Sequence, residues 1–327
     1  VLAAKTASSN TEPYLKHGVV AYHERVTETL KRLERFARDV KTGASQSMVK
    51  VLIEGPSESG LTALAAAAAR LAQFPHVHVV SPDAMVGLTP EEKVERLRQA
   101  FDAAAQAPAA CIVLDSIEHL LEYNAATGGG RASAALQYEL GGLLRRRLHA
   151  TSRQSGKSSP LGAAAASDEL DGRVMVIATS SVPEAVRVLS GAMPLFDAVE
   201  IVQPLTRGDT AVALAAYGVD ATAAQLSTFV GQLPPTLPVK RLVFYLSVAH
   251  ARHFGSSRPL RPVAAHSATL DVFADATEAA DDDADADPLA APTSGKLPLD
   301  TVRRVLEEFG VLEDYVASER LAERIQW

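Results

Sequence analysis

The stretch Val49–Arg70, VKVLIEGPSESGLTALAAAAAR, constrains this chain more than any other. A short apolar run from Val49 to Ile53 leads into a tight glycine loop, Gly55-Pro56-Ser57-Glu58-Ser59-Gly60, after which Thr62 opens an alanine-rich helix. Strand, glycine loop and helix in that order build a phosphate cradle, because the loop N–H groups and the helix N-terminus point at one anion. The usual pattern is G-x-x-x-x-G-K-[ST]. Gly55 and Gly60 keep its spacing, and Thr62 stands where a magnesium-binding hydroxyl belongs, but Leu61 takes the lysine position. The stretch specifies a nucleotide fold more clearly than nucleotide hydrolysis.

With 327 residues the chain is long enough for one large domain or two ordinary ones. Its 47% apolar and 22% charged residues are ordinary globular composition. A net charge of −7 offers no basic excess for a nucleic-acid surface. The single cysteine, Cys111, rules out an internal disulfide and a cysteine-built metal site, fits a reducing cytosol, and reads as a small core residue. No apolar run is long enough to span a bilayer. The start at Val1, without a signal-like segment, reads as a fragment or the C-terminal part of a longer protein.

Residues 1–13 are small and polar and read as a linker. An amphipathic helix then carries Val26, Leu30, Leu33, Ala37 and Val40 on one stripe. His76–Val80 alternates like a strand; its two histidines could bind a metal, but no third ligand has suitable spacing. Thr89-Pro90-Glu91-Glu92 is a helix start with a threonine cap, an early proline and a glutamate at the third position. Ala110–Leu114 and Val174–Ala178 are buried-strand runs, Val199–Val202 a further strand and Arg131–His149 a helix. Strands alternating with helices predict an α/β class with a parallel sheet over residues 14–204. Beyond Pro204 the pattern turns helical, predicting a small helical domain over residues 205–327. Residues 150–172 and the acidic stretch 264–296 are too poor in large apolar side chains to offset ordering entropy, so both read as disordered insertions.

A phosphate loop needs a metal-holding acid at the end of a neighbouring buried strand, and Asp115 stands there. The following position, a second carboxylate in many hydrolysing relatives, is Ser116. Glu118 is a helix-start charge or a base. The polar strand end Thr179-Ser180-Ser181 is either a γ-phosphate-sensing position or a plain capped turn before Pro183. Lys240-Arg241 could reach back to phosphate or sit as a solvated pair, and Arg145-Arg146-Arg147 poses the same choice.

Several motifs then line up together. The stretches YLKHGVV, VLIEGPSESGLTALAAAAA, FPHVHVVSPDAMVGL, FDAAAQAPAACIVLDSIEHLLEY and VMVIATSS keep their order and spacing over Tyr14–Glu200. In them the chain resembles the second ATPase domain of the N-ethylmaleimide-sensitive factor family, the vesicle-fusing ATPases of the AAA+ class. The resemblance implies an α/β P-loop core with a helical lid. It also implies a homo-hexamer with ATP and Mg2+ between subunits, and cytoplasmic work at the periphery of vesicle and Golgi membranes. Such proteins disassemble SNARE complexes with the adaptor SNAP, through domains outside this chain, while the second domain mainly binds ATP and holds the ring together.

Carried onto this sequence, the resemblance makes Gly55, Pro56, Ser57, Glu58, Ser59, Gly60, Leu61, Thr62 and Ala63 the phosphate loop. Thr62 and Asp115 become the magnesium-linked pair, with Asp115 the catalytic acid. His17, Gly18, Val19 and Val20 wall the adenine. Ser181, or Ser180 beside it, is the sensing position, and Lys240 faces the phosphates from the lid. Met85-Val86-Gly87 falls in a loop facing the central pore. Leu61 and Ser116 depart from the family pattern, so the expectation is an ATP-binding, oligomerising domain that hydrolyses poorly or not at all. The rival readings are an active P-loop ATPase with Lys240 or Arg145 replacing the lost lysine, and an interaction module that keeps only the fold.

Overall fold

A computed structural model describes residues 10–44, 47–126, 130–146, 172–255, 259–263, 269–270 and 296–312. The chain divides into two units. The first holds Val1–Pro13, Thr29–Gly55 and Leu64–Ile201; the second holds Tyr14–Glu28, Pro56–Ala63 and Val202–Trp327. Each is described by itself.

The first unit is built on five parallel strands: β1 (Met48–Glu54), β2 (His76–Val80), β3 (Ala110–Leu114), β4 (Val174–Ser180) and β5 (Ala198–Ile201). Their spatial order is β2-β3-β4-β1-β5. Register runs residue by residue through the centre, Ile112 opposite Val176 and Val176 opposite Lys50. Strands buried on both faces become continuous apolar runs, which is why ACIVL and VMVIA stood out in the sequence. Helix α1 (Glu24–Thr42) buries the Val26, Leu30, Leu33, Ala37, Val40 stripe, as the period predicts. At its C-terminal end Lys41 Nζ donates to the Ala72 carbonyl at 2.7 Å, just past α2 (Leu61–Leu71).

Helix α3 (Pro90–Gln106) opens with the expected box: Thr89 Oγ1 accepts from Glu92 N–H while Glu92 Oε2 accepts from Thr89 N–H. It packs on β2 and β3 and against α5 (Ala134–Arg145), which in turn meets α6 (Pro183–Ser190). Leu97, Phe101, Ile112, Leu114, Leu136 and Leu140 form the core between them. Truncating Phe101 to alanine would cost about 3–5 kcal/mol. The short helix α4 (Ile117–Leu120) follows Asp115 after one residue, its N-cap Ser116. The helix expected over Arg131–His149 begins later, at Ala134, because Asn124 and Arg131 pair as a β-bridge first. Residues 147–149 lie outside the described residues.

The second unit is helical: α7 (Arg207–Ala216), α8 (Ala223–Val230), α9 (Val239–Phe254) and α10 (Leu299–Glu308). Thr206 with Asp209, and Thr222 with Gln225, close capping boxes on α7 and α8. Leu214, Phe229, Leu242, Leu246, Val302 and Leu306 make its core, joined by Val20. Two-residue ribbons stitch its loops: Leu205–Thr206 with Thr236–Leu237, and Val219–Asp220 with Leu297–Pro298. Thr269–Leu270, inside the acidic stretch expected to be disordered, pair antiparallel with Val19–Val20. Apart from these two residues, Lys296 and Gly172, the expected insertions 150–172 and 264–296 lie outside the described residues, as do residues 313–327 of the predicted helical domain. No helix among the described residues is long and apolar enough to cross a membrane.

Candidate nucleotide site

The expected site residues fall into two sets, one in each unit. Pro56–Ala63, His17, Gly18, Val19 and Lys240 belong to the second unit; Gly55, Asp115 and Ser181 belong to the first.

In the second unit the glycine loop makes a tight turn with two residues in the left-handed region. Gly60 has φ +82°, and the Val239 side chain comes within 4 Å of where a Cβ would stand. Glu58 also lies in the left-handed region, at φ +64°, which a non-glycine residue holds only when its surroundings impose it. Ser59 is buried and folds its hydroxyl back onto the Pro56 carbonyl, so it braces the turn. Leu61 is the first residue of α2 and is buried; it brings no charge to the cradle. Thr62 follows, half-buried, at the helix start. The first turn of α9 meets the loop: Lys240 N–H donates to the Glu58 carbonyl at 3.0 Å, and Arg241 Nε donates to Glu58 Oε2 at 2.8 Å. The Lys240 side chain is exposed.

His17 and Gly18 are fixed tightly. Leu260 O lies 3.2 Å from His17 Nδ1, and a carbonyl only accepts, so Nδ1 carries the proton. Burial, aided by the nearby Lys16 and Arg261 charges and opposed by the Leu260 bond, holds the His17 pKa below its ordinary value. Nε2 is then the acceptor nitrogen. Tyr217 Oη donates to the His17 carbonyl at 3.3 Å, and burial pushes the Tyr217 pKa up. Gly18 has φ +66°, and a Cβ there would lie 2.6 Å from Pro262 Cδ.

In the first unit Asp115 ends β3, and its N–H bonds the Val80 carbonyl at 2.9 Å. It is buried, and its Oδ1 accepts from Thr179 Oγ1 at 3.1 Å and from Ser116 Oγ at 3.5 Å. Thr179 Oγ1 also accepts from Ser116 N–H at 2.8 Å, which steadies Ser116 at its left-handed φ of +52°. Two residues on, Glu118 is buried and gathers the end of β4. Its Oε2 accepts from Ser180 Oγ at 2.8 Å; its Oε1 accepts from Ser181 Oγ at 2.7 Å and Ser181 N–H at 3.1 Å. Glu118 is the helix-start charge that the sequence offered, in the first turn of α4, and it is a strand-end anchor as well. A polar strand end facing a glutamate was the only signal for it. The N-cap of α6 is Val182, without a side-chain cap, so the serines do not cap that helix.

Two other candidates are committed elsewhere. Arg145 donates to the Gly141 and Ser190 carbonyls, and Arg146 pairs with Asp102 at 2.7 Å. Met85 is buried in the core while Val86 beside it is 81% exposed, so only Val86 of that turn's first two residues faces outward. His76 and His78 are half-buried on the strand, and burial, then His76, lowers the His78 pKa. Among the described residues no three His, Cys, Asp or Glu side chains cluster as a metal site. Magnesium needs no such cluster when phosphate oxygens supply part of its shell. Thr62 at the start of α2 and Asp115 just after β3, one in each unit, each carry an oxygen able to bind such an ion. Cys111 is fully buried and its thiol pKa is pushed up by desolvation, in keeping with a core role.

Residues 51–198 match the family model described as the ATPase family associated with various cellular activities (AAA). Three relatives are similar over part of the chain. A vesicle-fusing ATPase of Arabidopsis thaliana is 37% identical over 130 residues, covering 40% of this chain and 17% of that protein. The vesicular-fusion protein SEC18 of Saccharomyces cerevisiae is 35% identical over 106 residues, 32% of this chain and 14% of that one. A vesicle-fusing ATPase of Dictyostelium discoideum is 30% identical over 112 residues, 34% and 15% of the two chains. The matched stretch spans less than a fifth of each relative's length.

Proposed function

We propose, from the premise that residues 51–198 form an AAA ATPase domain, that this chain is the ATP-binding and oligomerisation part of a vesicle-fusing ATPase, itself hydrolysing ATP poorly or not at all. The single observation that carries this reading is the loop with Leu61 in it. Gly60 and Glu58 hold the cradle's shape, yet the side chain at the lysine position is an apolar one buried at the start of α2. Backbone N–H groups and the α2 dipole still favour an anion there. In this reading bound ATP would sit on Pro56–Ala63 with adenine against His17–Val19, and Thr62 would be a ligand of its Mg2+. The metal, when bound, neutralises charge between the phosphates. The chain's own residues bind and orient; Ser116, in place of a second carboxylate, gives no base beside Asp115 to draw a proton from water.

Glu118 supports the weak-hydrolysis reading. Its carboxylate is occupied by Ser180 and Ser181, so it is not poised as a base. The hexamer, the SNAP adaptor, SNARE disassembly and a peripheral place on vesicle and Golgi membranes belong to this proposal through the similarity to vesicle-fusing ATPases, as does the helical unit's role as a lid. One specific observation favours a second reading, an ATPase with a substitute cation: Lys240 has its backbone seated on the loop at Glu58. Arg145 does not share that position, because it holds helix-end carbonyls.

Sedimentation velocity of the chain with and without Mg-ATP, with bound nucleotide quantified in the same sample, tests the proposal. A hexamer that forms with ATP bound, and no steady turnover, is the expected result. A monomer in both conditions would remove the assembly role, and turnover abolished by Asp115→Ala would favour the second reading.

A further inference from the structure

Helix α9 begins Pro238-Val239-Lys240-Arg241, with Pro238 at the cap position and no side-chain cap bond. Proline offers no side-chain oxygen, so the Lys240 N–H, an early orphan donor of the helix, needs an acceptor from elsewhere. The loop supplies it, since the Glu58 carbonyl lies 3.0 Å away. The same residue sends its carboxylate to the next one along, with Glu58 Oε2 2.8 Å from Arg241 Nε. Glu58 therefore serves the first turn of α9 twice, through its main chain and its side chain. Those two bonds explain how a glutamate is held at φ +64°.

The charge at this position matters as much as the shape. Glu58 is the third of the four residues between Gly55 and Gly60, in the middle of a loop built to receive an anion. A bare carboxylate there opposes a triphosphate. We propose that Arg241 is a positioning residue for the phosphate loop: it draws the Glu58 carboxylate onto α9 and neutralises it, keeping the loop receptive to phosphate without touching the phosphate itself. This role rests on the nucleotide-binding reading above. It differs from the role given to Lys240, whose exposed ammonium is the lid's phosphate-facing charge in that reading.

A charge cycle on Mg-ATP binding separates these roles. Isothermal titration of the whole chain should show Arg241→Gln weakening Mg-ATP binding about fivefold, the effect of one unscreened charge near a solvent-exposed site. The double variant Glu58→Gln with Arg241→Gln should recover that loss, because the carboxylate that needed masking is gone. Lys240→Gln should also weaken binding, and Glu58→Gln should not recover it. Binding unaffected by Arg241→Gln, or a loss that the double variant keeps, overturns the proposal and leaves the nucleotide reading standing. Absence of Mg-ATP binding in every form, Leu61→Lys included, overturns the nucleotide reading and the proposal with it.

Discussion

The Glu118 carboxylate accepts the Ser181 hydroxyl at 2.7 Å and the Ser181 backbone N–H at 3.1 Å, with Ser180 on its other oxygen at 2.8 Å. Three donors on one buried acid make the junction of β4 and α6 depend on it. Removing a buried acceptor strands its donors, and hydrogen bonds to a charged group are worth about 1.5–3 kcal/mol each. Glu118→Ala should therefore lower the urea unfolding free energy by about 3 kcal/mol. Glu118→Gln, which keeps one oxygen, should lose about half as much. A surface-like loss below about 0.5 kcal/mol for Glu118→Ala would contradict this anchoring role.

Gly18 combines a positive φ with a neighbour where a side chain would go. Gly18→Ala meets the left-handed penalty, about 1 kcal/mol, and a clash with the Pro262 ring. The thermal midpoint should fall, and the change should be larger than for an alanine placed at Gly142, where, among the described residues, nothing outside its own stretch of helix lies within 4 Å of the added Cβ. Equal effects at the two positions would show that the Pro262 contact is not maintained in solution.

His250 sits on α9 at 3% exposure, and among the described residues neither ring nitrogen has a hydrogen-bond partner. Burial, and then the nearby His253, lower its pKa from the ordinary value of 6.5. A histidine whose folded pKa lies below its unfolded one binds protons more readily when unfolded, so stability rises with pH where the unfolded state is protonated. The folded chain should therefore lose stability as the pH falls below about 6.5, towards the lower folded pKa. His17 and His78, shifted the same way by burial, add to this slope. Chemical unfolding at pH 7.5 and 5.5 should show a smaller difference for His250→Leu than for wild type. An unchanged difference would mean that His250 takes its proton in the folded state.

The sheet was legible because buried parallel strands need apolar runs: ACIVL and VMVIA are unbroken, and VKVLI is interrupted only by Lys50. The α1 stripe and the Thr89–Glu92 box were legible because both are local patterns, closed within a few residues of one helix. The boxes at Thr206 and Thr222 are as local but less legible, since neither has a proline and a glutamate to advertise it. The two-residue ribbons could not be read from sequence: a pair such as Val19–Val20 has no period, and its partner, Thr269–Leu270, lies far along the chain inside a stretch of disorder-like composition. In the site, Gly55–Thr62 and Asp115 stood out because glycine spacing and a strand-end acid are one-dimensional signals. The roles of Glu118 and Arg241 were hidden because each is defined by a partner distant in sequence, Ser181 and Glu58.

On the proposed function the loop still binds nucleotide, and Leu61 is what weakens it. Calorimetric titration of Mg-ATP into wild type and Leu61→Lys tests it most directly. A restored lysine adds a charge-assisted hydrogen bond of about 1.5–3 kcal/mol, so the variant should bind about ten- to a hundredfold more tightly. Equal affinity in the two proteins would contradict the account.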